Sequence, residues 1–263
     1  IINSQKDKSG ITIKINDNTK NENVYIPVVL TKKGHQEKVY NDFFIGDNVN
    51  INIIAGCAIH NEDKDTSVHE GIHTFHIGKN SKITYTEEHI GNCNNKNNKI
   101  INNTTTLNIG ENSEFNMITI QKRGVDTSNR ITSAELEENA KLFIDEKLII
   151  GNNEKVSSIF NINLNKSDSS LTINSKTIAK DNSISDFNSK VNGNAKCFAH
   201  IECDAIIMNN AKVSSTPTVV ANHKDAELTH EAAIGKIAKE QIEKLMSLGL
   251  SYKDAEETII NSF

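Results

Sequence analysis

The stretch Ile77-Gly78-Lys79-Asn80-Ser81-Lys82-Ile83-Thr84-Tyr85 holds the architecture in miniature: an apolar residue, a glycine, a polar residue and an asparagine, then a segment alternating polar and apolar. The four-residue phrase recurs as Ile45-Gly46-Asp47-Asn48 and Ile109-Gly110-Glu111-Asn112. Looser copies stand at Leu136-Glu137-Glu138-Asn139, near Leu164-Asn165, and at Val191-Asn192-Gly193-Asn194. Successive copies lie 32 (77 − 45), 32 (109 − 77), 27 (136 − 109), 28 (164 − 136) and 27 (191 − 164) residues apart. A period of this size signals stacked supersecondary units. Between the copies, segments such as Leu171-Thr172-Ile173-Asn174 alternate with the period of a strand that buries one face. Asparagine suits corners that need left-handed backbone angles. The expected fold is mainly β, a right-handed parallel β-helix over residues 1–228, each turn covering its neighbour's apolar face. A β-sandwich would alternate in the same way but has no need of near-constant spacing.

Past this body the pattern changes. From Ala232 the chain reads as helical, with Ile237, Ile242, Leu245 and Met246 at helix-like spacing and Gly249 as a cap after Leu248. Ser251 and Asp254 then start a second helix running to about Asn261. A two-helix C-terminal segment over 229–263 is the expectation.

Composition narrows the function classes. β-branched residues are abundant, Trp is absent, aromatics are 5%, and the two prolines are Pro27 and Pro217, which favours strands. A net charge of −5 gives no reason to expect nucleic acid or anionic lipid as a partner. No apolar run approaches the roughly 20 residues that span a bilayer, and no basic-then-apolar leader opens the chain. Cys57, Cys93, Cys197 and Cys203 form no C-x-x-C pair, as in a reduced intracellular protein, so a cytoplasmic location is expected. A Gly-x-Ser-x-Gly elbow, a P-loop and a His-Glu-x-x-His helix are all missing; any ATP chemistry belongs to a partner.

Two groups of residues have chemical potential. The first is His60, His69, Glu70, His73, His76, Glu87, Glu88 and His89, with Cys57 nearby. Cys57 and His89 differ by the local step (89 − 57 = 32), which makes them neighbours across turns. His73 shares a strand face with Phe75 and Ile77, and His76 points the other way. This cluster reads equally as a site or as a polar turn. The second is Cys203, which shares a face with Cys197, Ala199 and Ile201 and by parity alone reads as a small buried apolar residue.

The segment Leu228-Thr229-His230-Glu231-Ala232-Ala233-Ile234-Gly235-Lys236-Ile237 resembles the His-Glu-Ala motif of SufB and its His-Gly-Ala counterpart in SufD. Glu240-Gln241-Ile242, Leu245 to Ser251 and the ending Ile259-Ile260-Asn261-Ser262-Phe263 fit the same SufB/SufD family, as do Cys203-Asp204 and Gly56-Cys57. The chain reads as a minimal, SufB-like member. The resemblance implies a non-enzymatic scaffold on which an iron–sulfur cluster is assembled transiently. Two β-helices pair, and the C-terminal helices hold an ABC-type ATPase, SufC. Carried over by motif, the cluster ligands are Cys203, His230 and Glu231, supplied by one gene product across a homodimer. A thiolate, an imidazole and a carboxylate form a mixed set able to hold iron and release it. The steps 230 − 203 = 27 and 231 − 203 = 28 match the repeat and place Cys203 beside His230-Glu231. The family's upstream cysteine handles sulfur within the β-helix, a role carried to Cys57, with His89 and His73 as companions in a possible secondary site. Two other readings stand beside this one: an exposed-groove carbohydrate-active β-helix enzyme, which needs a carboxylate pair or a Ca²⁺-supported Arg in the groove, and a SufD-like structural subunit that binds no cluster.

Overall fold

The computed structural model describes residues 1–263 apart from 6, 33, 61–64, 92–97 and 238, so Cys93 lies outside the described residues. In chain order the strands are β1 (Ile2–Ser4), β2 (Gly10–Ile15), β3 (Lys20–Leu30), β4 (Gln36–Ile45), β5 (Asn50–Ile59), β6 (Ser67–Ile77), β7 (Lys82–Gly91), β8 (Lys99–Ile109) and β9 (Glu114–Gln121). They continue as β10 (Thr127–Leu136), β11 (Lys141–Ile150), β12 (Lys155–Leu164), β13 (Ser169–Ala179), β14 (Ile184–Gly193), β15 (Cys197–Ile207), β16 (Lys212–Ala221) and β17 (Glu227–Gly235). Two helices follow, α1 (Lys239–Ser247) and α2 (Tyr252–Ser262).

Strands alternate between two sheets. One has nine strands in the order β1-β2-β4-β6-β8-β10-β12-β14-β16; the other has eight, β17-β15-β13-β11-β9-β7-β5-β3. Every pairing after the antiparallel β1–β2 contact is parallel, so each turn lays one strand on each sheet, and the chain is a parallel β-helix.

The recurring phrase maps onto one corner. Ile45, Ile77 and Ile109 end their strands pointing inward and buried. The asparagines that follow, Asn48, Asn80, Asn112 and Asn139, have φ of 56°, 55°, 57° and 54°, and Asp168 continues the column at 59°. Asn tolerates this left-handed region better than other residues with a β-carbon. Each corner N–H donates to the next turn: Asn48 to the Lys79 carbonyl at 2.8 Å and Asn80 to that of Glu111 at 3.0 Å. Gly78 is required because a Cβ there would come within 2.6 Å of the Gly46 carbonyl oxygen. Between corners, inward positions stack in rows; Phe43 and Phe75 lie 4.1 Å apart with rings 4° from parallel. Each such fully buried side chain contributes about 1.5–3 kcal/mol.

Turn length is less regular than the phrase suggests. Leu136 pairs with Leu164, a step of 28, but Leu164 pairs with Gly193, a step of 29 (193 − 164). Val191 is opposite Ile162, two residues earlier. The expected step of 27 at this point is therefore corrected to 29.

At the C-terminal end, Ala232 to Gly235 are strand rather than helix, held by pairing with Cys203 to Ile206. Position 229 lies inside β17, and the first helix starts at Lys239. Gly249 (φ 98°) ends α1, its N–H donating to the Met246 carbonyl at 2.9 Å. Ser251 caps α2, its hydroxyl accepting from the Asp254 N–H at 3.2 Å. Ile260 packs on Ile178 and Ile206, which seats α2 against the eight-stranded sheet.

Candidate functional site

Strand alternation should line the interior with apolar side chains alone, yet several inward positions are charged. In the eight-stranded sheet, pairing places Ala55, Glu87, Thr119, Glu146, Ser175, Cys203 and Ala232 in one continuous row. The adjacent inward row runs Cys57, His89, Gln121, Leu148, Thr177 and Ala205. Across the interior, the nine-stranded sheet contributes Asn41, His73, Thr105, Thr132, Phe160 and Ser189, and beside them Gly71, Asn103, Arg130, Ser158, Phe187 and Ser215.

Arg130 is the centre of this lining, 2% exposed. One guanidinium nitrogen donates to Glu146 Oε1 at 3.1 Å, and another donates to His89 Nδ1 at 3.0 Å. Arginine can only donate, so His89 Nδ1 accepts, and the ring's other nitrogen, Nε2, has the Asn103 amide nitrogen at 3.0 Å. His89 Nε2 lies 3.5 Å from Glu87 Oε1, and His73 Nε2 lies 3.8 Å from the same oxygen. Asn103 Nδ2 donates to Glu87 Oε1 at 2.7 Å. Ser158 and Ser175 each donate to Glu146, at 2.6 and 2.7 Å.

Burial lowers the pKa of His73 and of His89, more than the nearby Glu87 raises them, and keeps both rings neutral. Burial alone would raise the Glu87 carboxyl; the contacts from His89 and Arg130 outweigh it and hold the group below the usual carboxylate range. The Cys57 thiol is pushed up to about 12, by burial first and then by Glu87 and Glu37. Burial also raises the Cys203 thiol, with the neighbouring Ser215 hydroxyl acting in the opposite direction.

Among the described residues, Glu87 Oε2, the hydroxyls of Thr105, Thr119 and Thr132, both ends of the Gln121 amide and Arg130 Nε are buried without a hydrogen-bond partner. Buried polar groups are nearly always paired, so a cluster with unused donors and acceptors is suited to a small polar guest.

The expected neighbours Cys57 and His89 are paired directly across turns. His73 reaches the same place from the opposite sheet, through Glu87. His69 is buried against Glu37 at 2.7 Å, and His76 faces outward, stacked on Phe44 at 4.9 Å. Cys203 is buried and points inward, but its partner on β17 is Ala232, a step of 29 (232 − 203). His230 is opposite Ile201, and Glu231 is opposite Glu202 on the outer parity. The expected adjacency of Cys203 to His230-Glu231 is thus corrected by two residues. Cys203 and His230 share the inward parity, whereas Glu231 projects to the other side. Among the described residues, no three His, Cys, Asp or Glu side chains gather as a metal site within this single chain.

Sequence reading passed over Arg130 and Glu146. The signal was available: each charge sits at an inward position of an alternating strand, Ser128-x-Arg130-x-Thr132 and Ile144-x-Glu146-x-Leu148.

The last turn is open. β16 and β17 are the end strands of their sheets, and the inward-parity residues His230, Ala232 and Ile234 are exposed.

Residues 32–263 match the family model described as SUF system FeS cluster assembly, SufBD core domain. An iron-sulfur cluster assembly SufBD family protein of Archaeoglobus fulgidus is 28% identical over 244 residues, covering 91% of this chain and 64% of that protein. One from Methanocaldococcus jannaschii is 27% identical over 233 residues, covering 88% of this chain and 72% of its own length. The iron-sulfur cluster assembly protein SufB of Bacillus subtilis is 39% identical over 66 residues, 25% of this chain and 14% of that protein. The chain thus spans less than two thirds of the Archaeoglobus relative's length.

Proposed function

The chain belongs to the SufBD family of SUF-system iron–sulfur cluster assembly, and from that premise we propose that it is a scaffold, with no catalysis of its own, on which sulfide and iron meet at Cys203. The observation that carries the reading is the inward polar row Glu87–Thr119–Glu146–Ser175, which ends at Cys203 one turn short of the open end. Cys57 stands beside the start of that row, paired with His89. Five turns separate the two cysteines, about 24 Å at the spacing of paired strands. No described inward residue between them is a cysteine, so a persulfide on Cys57 has no thiol to move to, and sulfur travels as free sulfide. That sulfide is released when an external dithiol reduces the persulfide by two electrons and is itself oxidised to a disulfide.

A mixed ligand set is completed by a second copy of the chain docked on the open last turn. Unpaired strand edges there invite edge-to-edge pairing, and Val219 and Ile234 are 41% and 39% exposed. In that homodimer His230 and Glu231 of each copy lie at the interface close to Cys203, and the cluster is cargo to be passed on. A SufC-like ABC ATPase is the proposed partner of α1 and α2, on the groove of about 510 Å³ that includes Met208, Ile237, Ile242, Met246 and Tyr252.

Anaerobic reconstitution with iron and sulfide, followed by absorbance, tests the scaffold reading. The parent chain gains the visible absorbance of a cluster and Cys203→Ser loses most of it; a Cys203→Ser variant that holds as much cluster as the parent removes Cys203 from the site. Co-purification under anaerobic conditions asks whether an ABC-type ATPase accompanies the full chain and is lost when α1 and α2 are deleted.

A further inference from the structure

The interior polar lining is not uniform along the helix axis. Unpartnered polar atoms cluster on β7 to β10, around Glu87, Thr105, Thr119, Gln121, Arg130 and Thr132. A second polar group lies around Cys203, where the Ser189 and Ser215 hydroxyls are both buried without a partner. Between the two, both polar columns of the nine-stranded sheet are broken by an aromatic ring: Thr132–Phe160–Ser189 in one and Ser158–Phe187–Ser215 in the other. The rings touch, with centroids 5.5 Å apart, and both side chains are buried, at 1% and 3%. Opposite them Glu146, Ser175 and Thr177 keep the lining polar, Ser175 donating to Glu146 at 2.7 Å.

Apolar ring faces oppose the passage of any ion that must shed its water. The fixed charges in the first polar group add to this: the carboxylates Glu87 and Glu146 are matched by the guanidinium of Arg130 and the buried ammonium of Lys99 at an inward position of β8, so an entering anion finds no net attraction. A small neutral molecule that both donates and accepts weak hydrogen bonds meets neither obstacle.

We propose that Phe160 and Phe187 form a selective constriction in the interior, passing uncharged hydrogen sulfide along the Glu146–Ser175 side toward Cys203 and holding ions back. This deepens the sulfur-path reading and rests on it. It separates the two ingredients of the cluster: sulfide arrives through the helix axis, and iron arrives from the open end.

The test loads Cys57 of the full chain with a ³⁵S persulfide and releases the label with a small dithiol. In that step Cys57–S–SH and the dithiol give Cys57–SH, the cyclic disulfide and H₂S; the outer sulfur is reduced, and the dithiol is oxidised. Iron(II) is present, together with hydroxocobalamin, a sulfide trap too large to enter the interior. The readout is the rate at which ³⁵S becomes protein-bound, acid-labile sulfide dependent on Cys203. Phe160→Ala should raise that rate roughly three- to tenfold, and Phe160→Leu, which keeps most of the core volume, about twofold. Label that reaches Cys203 in the parent at a rate unchanged in folded Phe160→Ala and Phe160→Leu overturns the constriction and leaves the sulfur path standing. Label that never reaches Cys203 in the parent, with all of it on the cobalamin, overturns the path itself and the constriction with it.

Discussion

Arg130 holds its charge out of water between two carboxylates, and removing it leaves both uncompensated. Arg130→Met should therefore destabilise the chain by about 3–5 kcal/mol, read as a lower midpoint in urea unfolding. Replacing Glu87 as well should recover part of the loss, because one orphaned carboxylate is then gone. The buried imidazoles set a pH dependence of definite sign. His73 and His89 have lowered pKa values in the fold, so below the ordinary histidine value of 6.5 the unfolded chain takes up protons that the folded chain refuses. Glu87 acts in the same direction below 4.5. Cys57 acts at the other end: unfolded, it ionises above 9.0, while in the fold it keeps its proton to about 12. The melting temperature should be highest between these limits, falling as pH drops below about 6.5 and again as it rises past 9. A Cys57→Ala variant should show a shallower alkaline fall. None of this was evident from composition, since Arg130 and Glu146 are ordinary residue types in an ordinary alternating pattern. Their parity alone marks them as interior.

At the level of strands and corners, the repeat phrase announced the parallel stack, because the geometry of a corner demands a small set of residues. Asn80, with φ of 55°, is one of those positions, and Asn80→Ala should cost about 1–2 kcal/mol, with Asn80→Gly near neutral. Register was harder to read. Each extra residue in a corner moves every later pairing by one place, and the phrase at Val191-Asn192-Gly193-Asn194 hid a difference of two. The true alignment, Cys203 with Ala232, can be checked by cross-linking. Paired strands hold their Cα atoms about 4.8 Å apart, inside disulfide range. Ala232→Cys should therefore form a disulfide with Cys203 under mild oxidation, read by mass spectrometry, and His230→Cys should do so far less. The opposite outcome would restore the 27-residue step.

Taken as a whole, the molecule is a stack in which each turn touches only its neighbours, and stability should grow turn by turn. Its last turn carries the least burial, with strands β16 and β17 largely exposed. In the proposed dimer this end is covered. Light scattering after size exclusion should give twice the monomer mass, and hydrogen exchange at β16 and β17 should slow with rising protein concentration. A monomer at every concentration would leave the mixed ligand set without its second half. The tail motif pointed to this end of the molecule from sequence, but a single chain's alternation carries no information about what closes its final turn.

The corner asparagines have a consequence for chemical ageing. An asparagine deamidates when the next residue's backbone nitrogen attacks the side-chain carbonyl. At Asn48 that nitrogen belongs to Val49 and donates to the Ser81 hydroxyl at 3.0 Å; at Asn80 it belongs to Ser81 and donates to the Ser113 hydroxyl at 2.9 Å. Both nucleophiles are tied into the neighbouring turn, so these asparagines should keep their amides for as long as the stack stays wound. The mass gained at Asn48 and Asn80 in a stored sample, mapped by peptide, would then record the time its chains have spent unwound.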